Sequence, residues 1–481
     1  MPEEVQADIK LHQCVFGYAD GHRLLASSLP LSTEAATLLL LLSDLGPGLA
    51  LSDLESYWTG VPLVDARYYA LMQTWPAPEV PRPGCVWTHV LLISFADIAR
   101  FTDFTRLTDH SRRPTVLGVY DSYSQPIRLE VTEPFDTNTR PVRTEDALRV
   151  VRALYARKST GRLASRPRAL DDTIFAVWSQ QWPRLRRAFS FRTATTELDV
   201  LTGLTNSTLN FNLRVVLGTS PDQGALDSAA TPEPWESAAV SDLRKVQPTE
   251  FRRFLWRYGS DIRRGQERFR FLSELYISTR VNHLTDGPLD DILSRVSHNL
   301  PVPEDGRLLK EDLLAFTTNQ YSLLPSTDPL DTLAFFARHS DTKGLPIPSS
   351  VLFHSVAGLW ANRPDDVLSV AHLLAQRESQ FAEMLLKPLS SVIELRRLLQ
   401  GTADRPMLRR RLLEANPLLL DTELAPKLNL FILERAFNQS QCRGTLGFAP
   451  PHRSSQVFFN LGRKAHDQMY LLFQLNCRSI G

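Results

Sequence analysis

Across the first 220 residues, apolar positions either alternate with polar ones or run on continuously, and beyond that point helical spacing takes over. Residues 11–29, LHQCVFGYADGHRLLASSL, alternate about Asp20-Gly21, a turn dipeptide whose glycine tolerates positive φ, and predict a two-residue hairpin. Pairing Ala19 with His22 sets Tyr18 opposite Arg23, Phe16 opposite Leu25 and Cys14 opposite Ser27 on one face. Val15, Gly17, His22, Leu24 and Ala26 then take the other face. Ser32 is placed to cap a helix reaching about Leu45, ended by Gly46-Pro47-Gly48. Residues 67–75, RYYALMQTW, have the aromatic density of a strand, and a proline-rich connection follows. Residues 85–94, CVWTHVLLIS, are almost wholly apolar, as in a central strand buried on both faces, with His89 beside Trp87, Leu91 and Ile93.

Further on, residues 95–104 read as a short helix and residues 126–131 as a strand. Residues 144–158 form an amphipathic helix with a threonine cap, an acidic first turn and a stripe of Leu148, Val151, Leu154 and Tyr155. Trp178 and Trp182 share a helical face before Pro183, and alternation returns at residues 189–193 and 209–217. Residues 220–242, rich in small, acidic and proline residues, read as a linker. Beyond it, Phe251, Phe254, Leu255, Tyr258 and Ile262 make one helical stripe. More helices are expected over 333–338, 351–360, 366–377, 381–399, 409–414 and 428–437, and residues 456–476 close the chain as strand and helix or one helix. The expected organisation is an α+β domain over 1–220, a mixed sheet with a hairpin and packed helices. A linker over 221–242 and a helical interaction region over 243–481, solenoid-like but without a strict period, follow it.

Composition narrows the classes. With 54 Lys and Arg against 53 Asp and Glu, the net charge of +1 gives no global attraction to phosphate backbones or anionic lipid. The four cysteines are far apart with no CxxC pair, which speaks against a zinc cluster or disulfide framework; no metal or cofactor is expected. MPEEVQADIK lacks the features of a secretory signal, and the longest apolar run is too short for a bilayer. The expectation is therefore a cytoplasmic chain without membrane partners.

Candidate chemistry is sparse. No GxxxxGK[ST], strand-linked GxGxxG, HExxH or GxSxG occurs. One catalytic set draws on Cys14, Asp20, His22, Ser27 and His89, as nucleophile, base and orienting acid of a hydrolase or nuclease-like site centred on Asp20, His22 and His89. The expected register separates His22 from Cys14, and the plainer alternative has Asp20 and Gly21 as turn, Tyr18 and Arg23 as a cross-strand pair and His89 as a core histidine. A second set is the basic aromatic segment FRRFLWRYGSDIRRGQERFRF, with Arg252, Arg253, Arg257, Arg263, Arg264, Arg268 and Arg270. Its arginines could track phosphates while its aromatics stack on bases, or the aromatics are a buried stripe and the arginines solvated.

HQCVFGYADGHRLLASSLPLS, YYALMQTWPAP and GCVWTHVLLI together resemble the N-terminal domain of the bacterial GTPase-associated protein family, type one. The likeness is concentrated in a GYxxGHxLLxxS hairpin and a WTHxLL strand, on Gly17, Tyr18, Asp20, Gly21, His22, Ser28, Trp87 and His89; WSQQWPRLRRAFSFRT also looks like a family segment. The resemblance implies membership of a multi-gene bacterial conflict or antiviral defence system. There such a chain would be a non-enzymatic adaptor or regulatory subunit coupling a GTPase or other NTPase partner to an effector. Without a P-loop, the chain is not expected to be the GTPase itself.

Overall fold

The computed structural model describes residues 9–50, 54–80, 82–129, 142–197, 210–217, 231–280, 283–284, 286–314, 322–339, 344–345, 358–376, 386–387, 390, 397 and 401–416. Its first compact unit spans Met1–Thr327 with Thr342–Pro346, and its second Asp328–Asp341 with Ile347–Gly481.

The first unit is built on nine strands: β1 (Ile9–Tyr18), β2 (His22–Ser27), β3 (Tyr57–Leu63), β4 (Tyr68–Pro76), β5 (Val86–Ser94), β6 (Ile127–Leu129), β7 (Arg162–Ala164), β8 (Phe191–Thr195) and β9 (Leu213–Val216). They join in the order β2-β1-β5-β4-β3-β8-β9-β7, and β6 pairs with the start of β1. From β2 to β8 neighbours are antiparallel, whereas β8, β9 and β7 are mutually parallel, so the sheet is mixed. Two of these strands escape the sequence patterns. β3, YWTGVPL, is interrupted by glycine and proline, and β7 has only three residues.

β5 is buried over nearly its whole length, as its apolar run predicts. Alternation divides its residues between two cores. On one face, helix α1 (Thr33–Ser43), capped by Ser32 accepting from the Ala35 amide at 3.2 Å, lays Leu39 and Leu42 over Cys14, Phe16, Val61, Met72, Val90 and Leu92. Each such side chain contributes about 1.5–3 kcal/mol by leaving water. After β5 the chain forms the short helix α2 (Phe95–Ile98) and a 3-10 turn (Phe104–His110). Helix α3 (Thr144–Tyr155) is capped at Arg143 without a side-chain bond, rather than by the expected threonine. On the other face of the sheet lie α4 (Asp171–Gln180) and α5 (Pro183–Ala188). There Trp178 packs against Tyr69 at 4.6 Å and stacks on Phe104 at 3.8 Å, and Phe175 meets Trp58 edge-on. Trp178 and Trp182 are wholly buried core residues.

Residues 234–242 of the expected linker fall in helix α6 (Pro234–Leu243), and residues 221–230 lie outside the described residues. It packs on α3 because Trp235, Ala239 and Leu243 are buried, and because the Glu236 carboxylate meets Arg152 at 2.9 Å. Helices α7 (Glu250–Gly259), α8 (Gly265–Ser278), α9 (Asp286–Asn299) and α10 (Arg307–Leu313) follow, so the chain is largely helical beyond the sheet. The second unit holds α11 (Pro329–Arg338), α12 (Pro364–Ala375) and α13 (Pro406–Ala415), with α12 packed against both others. The helices expected at 428–437 and the closing segment 456–476 lie outside the described residues, as does most of 351–360 and 381–399.

Candidate functional site

The hairpin turns through three residues rather than two. Asp20 stands at φ 57° and Gly21 at φ 123°, so both take the positive φ that the turn requires, and His22 pairs with Tyr18. Arg23 then faces Gly17 and Leu24 faces Phe16, until a bulge between Val15 and Phe16 restores the expected pairing of Cys14 with Ser27. A one-residue slip moves side chains to the opposite face. His22 and Leu24 therefore lie on the side of Cys14 and Phe16, contrary to the two-residue register.

Here the His22 ring stacks on Phe16 at 6.4 Å, and its Nε2 is 2.8 Å from Ser43 Oγ at the end of α1. Ser43 Oγ donates to the Leu40 carbonyl, which leaves its lone pair to accept from the imidazole N–H, while the Ser43 carbonyl accepts from Thr88 Oγ1 at 2.7 Å. His22 thus ties the hairpin to α1 and, through Ser43, to β5. Burial lowers its pKa and nearby Asp44 partly opposes this.

The other marker residues serve the same frame. Ser28 Oγ accepts from the Gln13 amide at 2.9 Å and closes the open end of the hairpin. Tyr18 lies under the Arg82 guanidinium. Gly17 gives space to Trp87, whose Nε1 donates to Glu79 at 2.6 Å: a Cβ on Gly17 would fall 2.2 Å from Trp87 Cζ3. Gly17→Ala is therefore expected to cost about 3 kcal/mol through overpacking. Thermal unfolding checks this, and an unchanged midpoint would mean that Trp87 has room to move.

His89 is fully buried. Its Nδ1 accepts from the Arg112 amide at 3.1 Å, so its Nε2 carries the proton donated to Gln13 Oε1 at 2.9 Å. Gln13 Nε2 in turn donates to the carbonyls of Ser122 and Gln125, and Tyr123 meets the imidazole edge-on at 5.0 Å. Burial, with Arg112 adding to it, holds the His89 pKa down at about 3. Because Val15 pairs with His89, this ring lies on the face opposite Cys14 and His22. The structure therefore does not bring Asp20, His22 and His89 together: the first is in the turn, and the two imidazoles are separated by the sheet. Cys14 is also sealed in the core, where burial pushes its thiol pKa up and leaves no reactive thiolate. Ser27 Oγ donates to the Leu29 carbonyl instead of meeting a base.

The basic segment is divided by its partners. Arg252 is wholly buried and meets Asp242 at 3.0 Å. Arg257 holds Asp312 at 2.8 Å, Arg268 donates to Asn299 at 2.9 Å, and Arg270 joins Glu233 and Glu274. Arg253, Arg263 and Arg264 are exposed. Phe251, Phe254, Leu255, Tyr258 and Ile262 are all buried, so the aromatic stripe is core and is closed to stacking with bases. Sequence spacing gives no sign that Arg264 shares a cavity with Arg157 and Arg184, because folding alone brings α8 beside α5 and the end of α3.

Among the described residues, no group of three or more His, Cys, Asp or Glu could hold a metal, and no helix is long and apolar enough to cross a membrane. Residues 10–110, from β1 to the 3-10 turn, match the family model of GTPase-associated protein 1, N-terminal domain type 1. The hairpin and the Trp87 strand both fall inside the match. No curated protein and no solved structure matches the chain significantly.

Proposed function

We propose that the chain is a non-enzymatic adaptor or regulatory subunit that associates with a GTPase and couples it to an effector of a bacterial conflict or antiviral system. The observation that carries this reading is the match of residues 10–110 to a GTPase-associated N-terminal domain. The local chemistry supports it. His22, Ser28, Trp87 and His89 each spend their polar atoms on holding β1, β2, β5 and α1 in place, which suits a shaped surface better than a reaction centre. GTP hydrolysis belongs to the partner on this reading, since the sequence carries no phosphate-binding P-loop.

Coexpression of the full chain with a GTPase from a neighbouring reading frame tests the proposal. The two are expected to co-elute at stoichiometric ratio, and the chain is expected to alter the partner's GTP turnover while showing none alone. Failure to associate with the product of any neighbouring reading frame would refute it.

A further inference from the structure

A cavity of about 650 Å³ lies where the C-terminal end of α3, the helix α5 and the start of α8 meet. Arg157, Arg184 and Arg264 line it, all three exposed and none engaged by a carboxylate among the described residues. Arg270 also reaches this wall but is neutralised by Glu233 and Glu274, and Glu267 is the one acidic residue lining it among the described residues. Three uncompensated guanidinium groups around one concavity repel each other, and the arrangement is relieved when an anion enters.

Two further features suit an anion. α8 runs for 14 residues from Gly265, and its N-cap, Arg264, closes no side-chain bond to the first turn, so the early amides of a long helix are left for another acceptor. The floor is built and polar: Asn212 Nδ2 donates to Gln266 Oε1 at 2.6 Å, and Gln266 Nε2 donates to the Leu154 carbonyl at 3.3 Å. Tyr155 and Leu185 supply an apolar wall beside the cations. The volume falls within the roughly 300–1,000 Å³ range of small-molecule sites and is far larger than one phosphate fills.

We propose that this cavity binds a small molecule carrying two or more phosphate groups, of nucleotide size. Guanidinium groups match phosphate oxygens in pairs, and the apolar wall takes the uncharged remainder of the ligand. A nucleic-acid strand fits less well, because Arg252, Arg257, Arg268 and Arg270 are held internally and the unpaired cations surround a hollow rather than follow a track. The site lies outside residues 10–110, so it stands independently of the GTPase reading.

Titration calorimetry on the full chain tests it, with inorganic tripolyphosphate, ATP and GTP as probes, a short oligonucleotide as the competing ligand and adenosine as the uncharged control. Arg264→Gly removes a cation at a position with φ 51°, which glycine adopts without strain, and Arg157→Gln changes an exposed residue, so both variants are expected to fold. Tripolyphosphate and at least one triphosphate are expected to bind and adenosine to fail. Each of the two substitutions should weaken binding about tenfold or more, while Arg253→Gln, outside the cavity, leaves it unchanged. Absence of binding by every phosphate probe at millimolar concentration overturns the proposal. So does equal binding by the Arg157→Gln and Arg264→Gly variants, or binding confined to an oligonucleotide that Arg253→Gln weakens equally.

Discussion

Replacing Arg252 with methionine is expected to lower the stability of the first unit by about 4 kcal/mol, because breaking one side of a buried ion pair strands the other charge. Arg252 is 0% exposed, and its Nε meets Asp242 Oδ2 at 3.0 Å. Its two terminal nitrogens donate to the carbonyls of Val246, Asp242 and Lys245, so one guanidinium satisfies the turn between α6 and α7. Methionine fills the volume of the stem but returns none of these donors. Among the described residues the Asp242 carboxylate then keeps Gln180 Nε2 at 2.8 Å and Thr249 Oγ1 at 2.6 Å. Denaturant unfolding measures the loss. The double variant Arg252→Met, Asp242→Leu should recover part of it, since removing both charges avoids the stranded carboxylate. A single variant within about 1 kcal/mol of the parent would mean that the pair is dispensable.

Acid is expected to act on the fold through His89. Its pKa of about 3 in the folded chain lies below the ordinary 6.5. As pH falls through 6.5 the unfolded chain takes a proton that the native imidazole refuses, so the unfolded state holds more protons and stability declines. The contribution is complete above pH 6.5 and is lost progressively toward pH 3, with a slope approaching about 1.4 kcal/mol per pH unit and a total on the order of 4 kcal/mol. His12, His22 and His110 are shifted downward by burial as well and add to the same window. Unfolding measured from pH 7 to pH 4 on the parent and on His89→Gln isolates the term, because glutamine retains a donor and an acceptor but does not titrate. Parallel curves would show that His89 is not the group responsible.

What the sequence makes legible depends on whether the decisive contact is local. The β5 strand and the stripe of α7 announce themselves because burial repeats at the period of the element. The hairpin is recognisable, yet its register is not: a bulge at Val15 and Phe16 changes which residues share a face without changing the apolar pattern. β3 is hidden by its glycine, which is there for a distant reason. A Cβ on Gly60 would meet the Phe191 ring and the Tyr69 hydroxyl at 2.4 Å. The helix α6 reads as linker because Glu236 and Asp242 look like solvated charge, whereas their partners Arg152 and Arg252 bury them. The arginines teach the same lesson in reverse: composition suggests one basic surface, and long-range pairing sorts its members into internal struts and free cations.

β3 ends the run of strands supplied by residues 10–110, and its outer edge is completed from elsewhere. Thr59 and Gly60 pair with Arg192 and Phe191 of β8, the Trp58 amide donates to Thr193 Oγ1 at 2.9 Å, and the Tyr69 hydroxyl donates to the Phe189 carbonyl. Gln13, at the other side, anchors to Ser122 and Gln125. The portion with recognisable kinship is therefore not an autonomous module. A graft cut at residue 110 would carry an open ladder into its new host, and a transplant that keeps its shape has to bring β8 and β9 with it.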